Sequence, residues 1–214
     1  MRSSGVKTIS VAAFCEELER RGLNDDRLIG SAVEFVLLHQ SEVKADDGGS
    51  QLEQHIFPVA LTVTEFLQRE GRVDPALISI ALLHDVMEDD RAVTDNALRK
   101  MFGERVAEGV KLLTKEDWRL ITGGSEGEKK ARRDDEYNER LRSAPRDLLI
   151  VKLADRLNNV RRLSNSNPRK RAQYMEETKS HYLPLAKATS SFFYDGIVSE
   201  LRKIEDTAKQ DTYP

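Results

Sequence analysis

Apolar residues recur at intervals of three and four along most of this chain, and no segment shows a convincing strand pattern. Such spacing gathers apolar side chains on one face of a helix, which then packs against a neighbour. Two series show it: Val11, Phe14, Cys15 and Leu18, then Leu28, Val33, Val36 and Leu37. The sequence therefore predicts an all-α fold.

Capping residues predict where several helices begin. Asp25 or Asp26 is suited to an N-cap, and Asp74-Pro75 is typical of a cap followed by the first helical residue. Gly103 marks a boundary before Glu104. From these signals we expect a middle helix from about residue 75 to residue 89.

Glycine and proline divide the rest of the chain. Residues 44–50 and roughly 115–129 are predicted to be loops. A long apolar helix is expected after Pro145. Another is expected to begin near Pro168 and to kink at Pro184, because proline cannot continue the helical hydrogen bonds.

Composition limits the class of protein. The chain has 214 residues, of which 39% are hydrophobic and 33% charged, and no Gly/Ser/Pro-rich linker divides it. These values suit one soluble globular domain over residues 1–214. A single cysteine, Cys15, excludes an intrachain disulfide and fits a cytoplasmic setting. No apolar run approaches the roughly 20 residues of a membrane span, so no membrane partner is expected.

The charge pattern bears on possible partners. A formal net charge of −3 gives no overall attraction for nucleic acid, which we do not expect as a partner. Basic residues nevertheless cluster at 129–133 and at 161–171. These clusters are either solvated helix faces or surfaces that attract a phosphorylated small molecule. The sequence makes no prediction of oligomeric state.

Residues 81–90 change from an apolar helix to a run of acidic residues. On a continuous helix, His84 lies one turn from Glu88, and Asp85 lies one turn from Asp89. A metal-binding pair and an acid/base pair can then face one cleft. An acidic helix end alone would oppose the negative end of the helix dipole, a conflict that a bound cation removes. The pattern predicts a metal-dependent hydrolase, and histidine with carboxylate favours Mn²⁺, Fe²⁺ or Zn²⁺ over Mg²⁺.

A second source of ligands is the helix predicted after Pro145. Asp155 is embedded in its apolar sequence, and burying a carboxylate is costly unless a cation compensates it. Asp155 is therefore a predicted ligand. Together with Lys152, Asn159 and Arg162 it forms a polar stripe that can line a cleft. The same stripe could be an exposed helix edge with internal ion pairs, but its coincidence with the His-Asp helix favours the cleft.

These two segments resemble a known family. Residues 84–89 (His-Asp-Val-Met-Glu-Asp) and 152–159 (Lys-Leu-Ala-Asp-Arg-Leu-Asn-Asn) are similar to the two signatures of the HD-domain hydrolases of RelA/SpoT proteins, including small alarmone hydrolases. Residues 137–141 and 182–186 also resemble family segments. The resemblance implies an HD-domain helical bundle with a metal site between helices. It also implies a motif-bearing core of about residues 25–190, with no synthetase or regulatory domain.

The resemblance implies roles for individual residues. One divalent ion per chain, usually Mn²⁺, would be held by four ligands: His55, His84, Asp85 and Asp155. His55 enters because His55-x-x-x-Val59-Ala60 resembles a family motif, and His39 lies where the family has an earlier histidine. Glu88 and Asp89 would be catalytic and act on the attacking water. The implied substrate contacts are Asn159, Lys44, Arg162, Tyr137 and Arg140.

The activity implied by the resemblance is removal of the 3′-pyrophosphate from guanosine tetra- or pentaphosphate, (p)ppGpp, which gives GDP or GTP. A small-molecule nucleotide is thus the expected partner. Two alternatives stay open at the level of sequence. One is hydrolysis of another phosphorylated nucleotide, such as an adenosine alarmone or NADPH, by an HD-superfamily enzyme. The other is a non-catalytic module that binds an alarmone or acts as an antitoxin.

Overall fold

In this computed structural model, the described residues are 8–45, 48–163 and 166–210, and their regular secondary structure is helical throughout. An isolated antiparallel bridge joins Lys44 and Ser50. The predicted all-α fold is confirmed. The α-helices are α1 (Val11–Arg20), α2 (Arg27–Gln40), α3 (Phe57–Arg69), α4 (Pro75–Leu83), α5 (Val86–Asp89), α6 (Asp95–Phe102), α7 (Glu104–Leu113), α8 (Glu126–Arg142), α9 (Arg146–Arg162), α10 (Pro168–Glu177), α11 (Leu183–Thr189) and α12 (Ser191–Gln210).

The predicted helix starts are found where capping chemistry requires them. The Asp26 side chain accepts hydrogen bonds from the first backbone N–H groups of α2. Asp74 accepts from Leu77 N–H at 3.1 Å, and a proline follows it in the first turn of α4. Gly103, with φ of 84°, separates α6 from α7. The boundaries predicted at Asp74 and Gly103 are confirmed. Of the two candidate caps of α2, Asp26 is the one found in the structure.

The two predicted loops are only partly as expected. Residues 46 and 47 of the first loop lie outside the described residues. The second loop ends earlier than predicted, because α8 already begins at residue 126. Ser125 and Glu128 form a capping box, in which each side chain bonds to the backbone N–H of the other. A short 3-10 helix, Trp118–Leu120, lies within this loop.

Two π-helical segments, Leu52–Ile56 and Thr178–Tyr182, immediately precede α3 and α11. Each following helix has a proline near its start, Pro58 or Pro184. In a regular α-helix the proline ring would clash with the carbonyl four residues earlier. The wider π turn avoids this clash. The kink predicted at Pro184 thus takes the form of a π turn. The π turn before Pro58 contains His55.

The predicted continuous helix from residue 75 to residue 89 is wrong. Helix α4 ends at Leu83, and a turn at His84 and Asp85 leads into the one-turn helix α5. The physical reason is local to the end of α4, where the His84 side chain donates to the Ala81 carbonyl, the acceptor that the Asp85 N–H would use in a continuous helix. Glu88 and Asp89 then belong to the one-turn helix α5.

Helix α4 lies in the core. Its residues from Leu77 to Leu83 are all buried, as expected of a helix that is apolar on every side. It packs against α2, α3, α7 and α9, and α9 in turn packs against α3 and α12. No helix in the described ranges combines the length and the apolar character that a membrane span requires. Helix α4, which leads into His84 and Asp85, and helix α9, which carries Asp155, are both packed in the core.

Candidate metal centre and active site

Four predicted ligands from three parts of the chain converge on one point. His55 lies in the first π segment, His84 and Asp85 form the turn after α4, and Asp155 lies in α9. His55 Nε2 is 3.2 Å from His84 Nε2, 3.3 Å from Asp85 Oδ2 and 3.5 Å from Asp155 Oδ1. His84 Nε2 is also 3.4 Å from Asp85 Oδ1. His55, His84 and Asp155 are buried and offer atoms within 4.8 Å of one another, a group that could hold a metal ion.

The hydrogen bonds of the two imidazoles determine which nitrogen faces the centre. His84 Nδ1 lies 2.8 Å from the Ala81 carbonyl oxygen, which can only accept, so Nδ1–H is the donor. His55 Nδ1–H likewise donates to Asn158 Oδ1 at 2.7 Å. In the neutral rings both Nε2 lone pairs therefore point at each other. This repulsion disappears when a cation lies between them, so the donor set fits a divalent metal ion.

Charge also favours a cation at this point. Burial raises the pKa of Asp155, but Lys152 and the two imidazoles outweigh burial and hold that pKa below its usual value. Burial likewise opposes ionisation of Asp85, yet His84 and His55 lower its pKa. For His55, burial alone would lower the pKa. The hydrogen bond with Asp85 and the charges of Asp85 and Asp155 outweigh burial, so the pKa of His55 lies above its usual value. Both carboxylates are therefore ionised at neutral pH.

The ion pair beneath the centre fixes the Asp155 carboxylate. Lys152 Nζ lies 2.6 Å from Asp155 Oδ2, and the Asn159 side-chain amide donates to Oδ1. The polar stripe predicted on α9 is therefore found in the structure, where Lys152 and Asn159 both contact Asp155. Arg162, its fourth member, donates to Gln54 Oε1 at 3.1 Å. Lys44, predicted to lie over the base, is exposed in the loop after α2.

Glu88 and Asp89 lie next to the centre at the exposed side of α5. The Lys115 backbone N–H donates to Glu88 Oε1 at 2.6 Å, and Gln40 Nε2 donates to Asp89 Oδ2 at 2.6 Å. Partial desolvation of the Glu88 carboxyl by surrounding protein, together with the charge of Asp85, raises its pKa to about 7. The same two causes raise the pKa of Asp89. A carboxyl that titrates near neutral pH can both accept and return a proton.

Tyr137 and Arg140, predicted as substrate contacts, support the loop that follows α7. Tyr137 is 2% exposed, and its hydroxyl donates to the Leu113 carbonyl at 2.9 Å. Arg140 donates to the Thr114 carbonyl at 2.7 Å, with its guanidinium 5.2 Å from the Tyr137 ring centroid. Because Lys115 comes next in the chain and bonds Glu88, both residues are connected to Glu88 through this loop.

Some residues of the site were not predicted. Asn158, which orients His55, is a buried polar residue in the apolar helix α9, and the argument that selected Asp155 applies to it equally. His39 lies apart from the metal centre and pairs with Asp90, with its Nδ1 2.8 Å from Oδ2. This pairing gives Asp90 a structural role. Gln40 carried no signal in the sequence, because its contact with Asp89 depends on the packing of α2 against α5.

Comparisons with known proteins agree with this geometry. A family model described as HD domain matches residues 32–190, which include all four candidate ligands. GTP pyrophosphokinase rsh of Brucella melitensis biotype 1 is 35% identical over 151 residues, which are 69% of this chain and 18% of that protein. The bifunctional (p)ppGpp synthase/hydrolase SpoT of Escherichia coli strain K12 is 34% identical over 119 residues, which are 55% of this chain and 16% of that protein. The chain thus spans less than a fifth of the length of these curated relatives.

A solved structure shares the fold. It belongs to a metazoan ortholog of SpoT that hydrolyses ppGpp and plays a role in starvation responses. The two superpose with a TM-score of 0.66 at 19% identity, over 83% of this chain and 96% of that one. The common architecture is the HD-domain helical fold. Because the family model covers most of the chain and both of its sequence signatures, the chain belongs to the HD domain family.

Proposed function

We propose that this chain hydrolyses guanosine tetra- and pentaphosphate, removing the 3′-pyrophosphate to leave GDP or GTP. The observation that carries the proposal is the convergence of two Nε2 lone pairs and two carboxylates beside Glu88 and Asp89. Similarity to relatives that are named for (p)ppGpp hydrolysis supports the choice of substrate. The nucleotide is the only partner that the proposal requires.

The proposed cofactor is one Mn²⁺ ion per chain, held by His55, His84, Asp85 and Asp155. Two imidazoles and two carboxylates form a mixed donor set that suits Mn²⁺ better than Mg²⁺, which prefers oxygen ligands and water. When bound, such an ion lowers the pKa of water and offsets negative charge on a phosphoryl group. Asn158 and Ala81 keep the two imidazoles in the tautomer that can act as ligands.

Glu88 and Asp89 are the proposed acid/base residues. Lys115 N–H occupies Glu88 Oε1, so Oε2 is the oxygen left to take a proton from the attacking water. With a pKa near 7, the protonated Glu88 can then return that proton to the ribose 3′-oxygen as it leaves phosphorus. Gln40 bonds Asp89 Oδ2, so Oδ1 is the Asp89 oxygen that helps to orient the water.

Binding of a highly charged nucleotide needs cations and amide donors. Asn159 and Arg162 lie on α9 beyond Asp155 and are proposed to contact phosphate oxygens. Lys44, in the loop after α2, is proposed to contact the base. Tyr137 and Arg140 contribute by holding residues 114 and 115 in place. Other phosphorylated nucleotides carry the same phosphate chemistry, so the base is what an experiment has to decide.

A nucleotide panel tests the proposal. The chain is incubated with ppGpp, pppGpp, an adenosine alarmone or NADPH, each with Mn²⁺, Mg²⁺ or EDTA, and pyrophosphate release is measured. Loss of each nucleotide and release of orthophosphate are followed as well, because NADPH cannot yield pyrophosphate on hydrolysis. We expect pyrophosphate release from the guanosine substrates with Mn²⁺ and none with EDTA. Consumption of a different nucleotide with ppGpp left intact would contradict the proposal. Full activity in EDTA would equally contradict the metal.

Two glutamate variants separate catalysis from simple binding. Glu88→Gln should lower kcat by roughly 10² to 10⁴ while ppGpp still binds, because the amide cannot accept a proton. Glu104→Gln is the matched control, since Glu104 is exposed in α7 and pairs with Arg99. Its kcat should equal that of the wild type. A Glu88→Gln protein with wild-type turnover would exclude the proposed acid/base role.

A further inference from the structure

The last two residues of α2 hold the end of α5. Gln40 Nε2 donates to Asp89 Oδ2 at 2.6 Å, and His39 Nδ1 lies 2.8 Å from Asp90 Oδ2. Helix α5 has only four residues, so its own hydrogen bonds cannot fix its conformation. The position of the Asp89 carboxylate therefore depends on α2, which is packed along α4.

The Gln40 amide is buried at a cost to stability. The residue is 0% exposed, and in the described ranges its Oε1 is buried without a hydrogen-bond donor. A buried acceptor without a donor destabilises the folded state. A methionine would fill similar space with no polar atom. A side chain that breaks this packing rule next to an active site is more readily explained by function than by stability.

We propose that Gln40 is a positioning residue for the hydrolytic reaction, which holds Asp89 Oδ2 and so presents Oδ1 as the oxygen beside Glu88. This inference rests on the proposed function. Gln40 itself is fully buried and does not touch substrate. Its amide acts through Asp89, and the hydrogen bond between them spans 49 residues of sequence between α2 and α5.

The sign of the stability change distinguishes this role from a merely structural one. In Gln40→Met the orphaned Oε1 is gone, and the exposed Asp89 carboxylate bonds water in place of Nε2. We therefore expect a melting temperature equal to or above that of the wild type. The kcat should nevertheless fall about 10-fold, a part of the 10² to 10⁴ that acid/base catalysis contributes, with KM changed less than about twofold. A structural residue would instead lose stability and keep its kcat.

The test is a double-mutant cycle on the whole chain with Mn²⁺ and ppGpp. Gln40→Met should lower kcat in the wild-type background and have no further effect in Asp89→Asn, because Gln40 acts through Asp89. Thr64→Val is the matched control, since Thr64 is buried in α3 and its hydroxyl donates to the Ala60 carbonyl of the same helix. It should lose some stability and keep its kcat. Gln40→Leu, which also removes the donor, should lose as much kcat as Gln40→Met.

The outcomes separate the inference from the proposed function. Wild-type kcat in both Gln40 variants, or an undiminished effect of Gln40→Met in Asp89→Asn, overturns the positioning role. Absence of ppGpp hydrolysis by the wild-type chain overturns the proposed function instead. In that case the same cycle is measured with the nucleotide of the panel that the wild type cleaves, and the result for Gln40 is decided there.

Discussion

Replacing Asn158 with alanine should weaken binding of a divalent cation without removing any of its ligands. The Asn158 side chain accepts a hydrogen bond of 2.7 Å from His55 Nδ1, and both residues are buried. Without it, the His55 ring can rotate or carry its proton on Nε2, the nitrogen that faces the centre. Loss of such an outer partner typically weakens metal affinity by 10- to 100-fold.

The size of the effect follows from linkage between binding and folding. At a free Mn²⁺ concentration 100 times the dissociation constant, the wild-type fold gains about 2.7 kcal/mol. A 10-fold weaker site gains about 1.4 kcal/mol at the same concentration, and a 100-fold weaker site about 0.4 kcal/mol. For a protein of this size, one kcal/mol moves the melting temperature by about 2–4 °C. The Mn²⁺-induced shift should thus fall from about 5–11 °C to below about 6 °C.

Thermal melts with and without Mn²⁺ measure this shift, and calorimetry gives the dissociation constant directly. Comparing each variant with its own metal-free form cancels the stability lost by truncating a buried side chain. Asn138→Ala is the matched control, because Asn138 is a buried asparagine on α8, whereas the Nδ1 partners of the two imidazoles are Asn158 and Ala81. It should keep the wild-type shift. An unchanged shift and dissociation constant in Asn158→Ala would refute the assignment of the His55 tautomer.

Two further predictions concern the fold. An alanine Cβ at Gly109 would lie 2.5 Å from Ile80 Cδ1 in the packed core, so Gly109→Ala should destabilise the fold by about 1 kcal/mol. Gly30 has open space around it, so Gly30→Ala should stabilise the fold by up to about 1 kcal/mol. Urea unfolding measures both free-energy changes, and changes of the same sign would contradict the packing argument. Asp74 is paired with Arg105 at 2.6 Å. Burial raises the pKa of Asp74, but Arg105 and the Leu77 N–H lower it below its usual value overall. The ion pair therefore stabilises the folded state above the unfolded pKa near 3.8, and this stabilisation is lost as the pH falls through the lower pKa of the folded state. Asp74→Asn should therefore be less stable than the wild type by up to about 1 kcal/mol at pH 7, and a difference that persists undiminished at pH 3 would refute this reading.

Helix starts were predictable from the sequence because capping is local. Asp26, Asp74 and Gly103 each act on backbone groups within a few residues, so their chemistry is visible without knowledge of the fold. The break at His84 and Asp85 was not predicted. Apolar spacing reports which residues are buried, and residues 77–86 are buried apart from Asp85, whether or not the helix is continuous.

The candidate ligands were predictable for a different reason. His84, Asp85 and Asp155 are polar residues in apolar sequence, which is costly unless something compensates them. Asn158 fits the same description, but its contact with His55, like that of Gln40 with Asp89, becomes visible only after the fold is known, because the partners lie 103 and 49 residues away along the chain. Residues that orient ligands are therefore less visible in sequence than the ligands themselves.

The break between α4 and α5 connects the candidate metal centre with the proposed acid/base pair. On its N-terminal side, the Ala81 carbonyl at the end of α4 accepts from His84 Nδ1 and so directs Nε2 toward the centre. On its C-terminal side, Glu88 and Asp89 are the last two residues of α5. Because α5 is a single turn, its own hydrogen bonds and dipole contribute little, and the Lys115 and Gln40 donors hold the two carboxylates. The same break thus orients the His84 imidazole and places Glu88 and Asp89 against their donors.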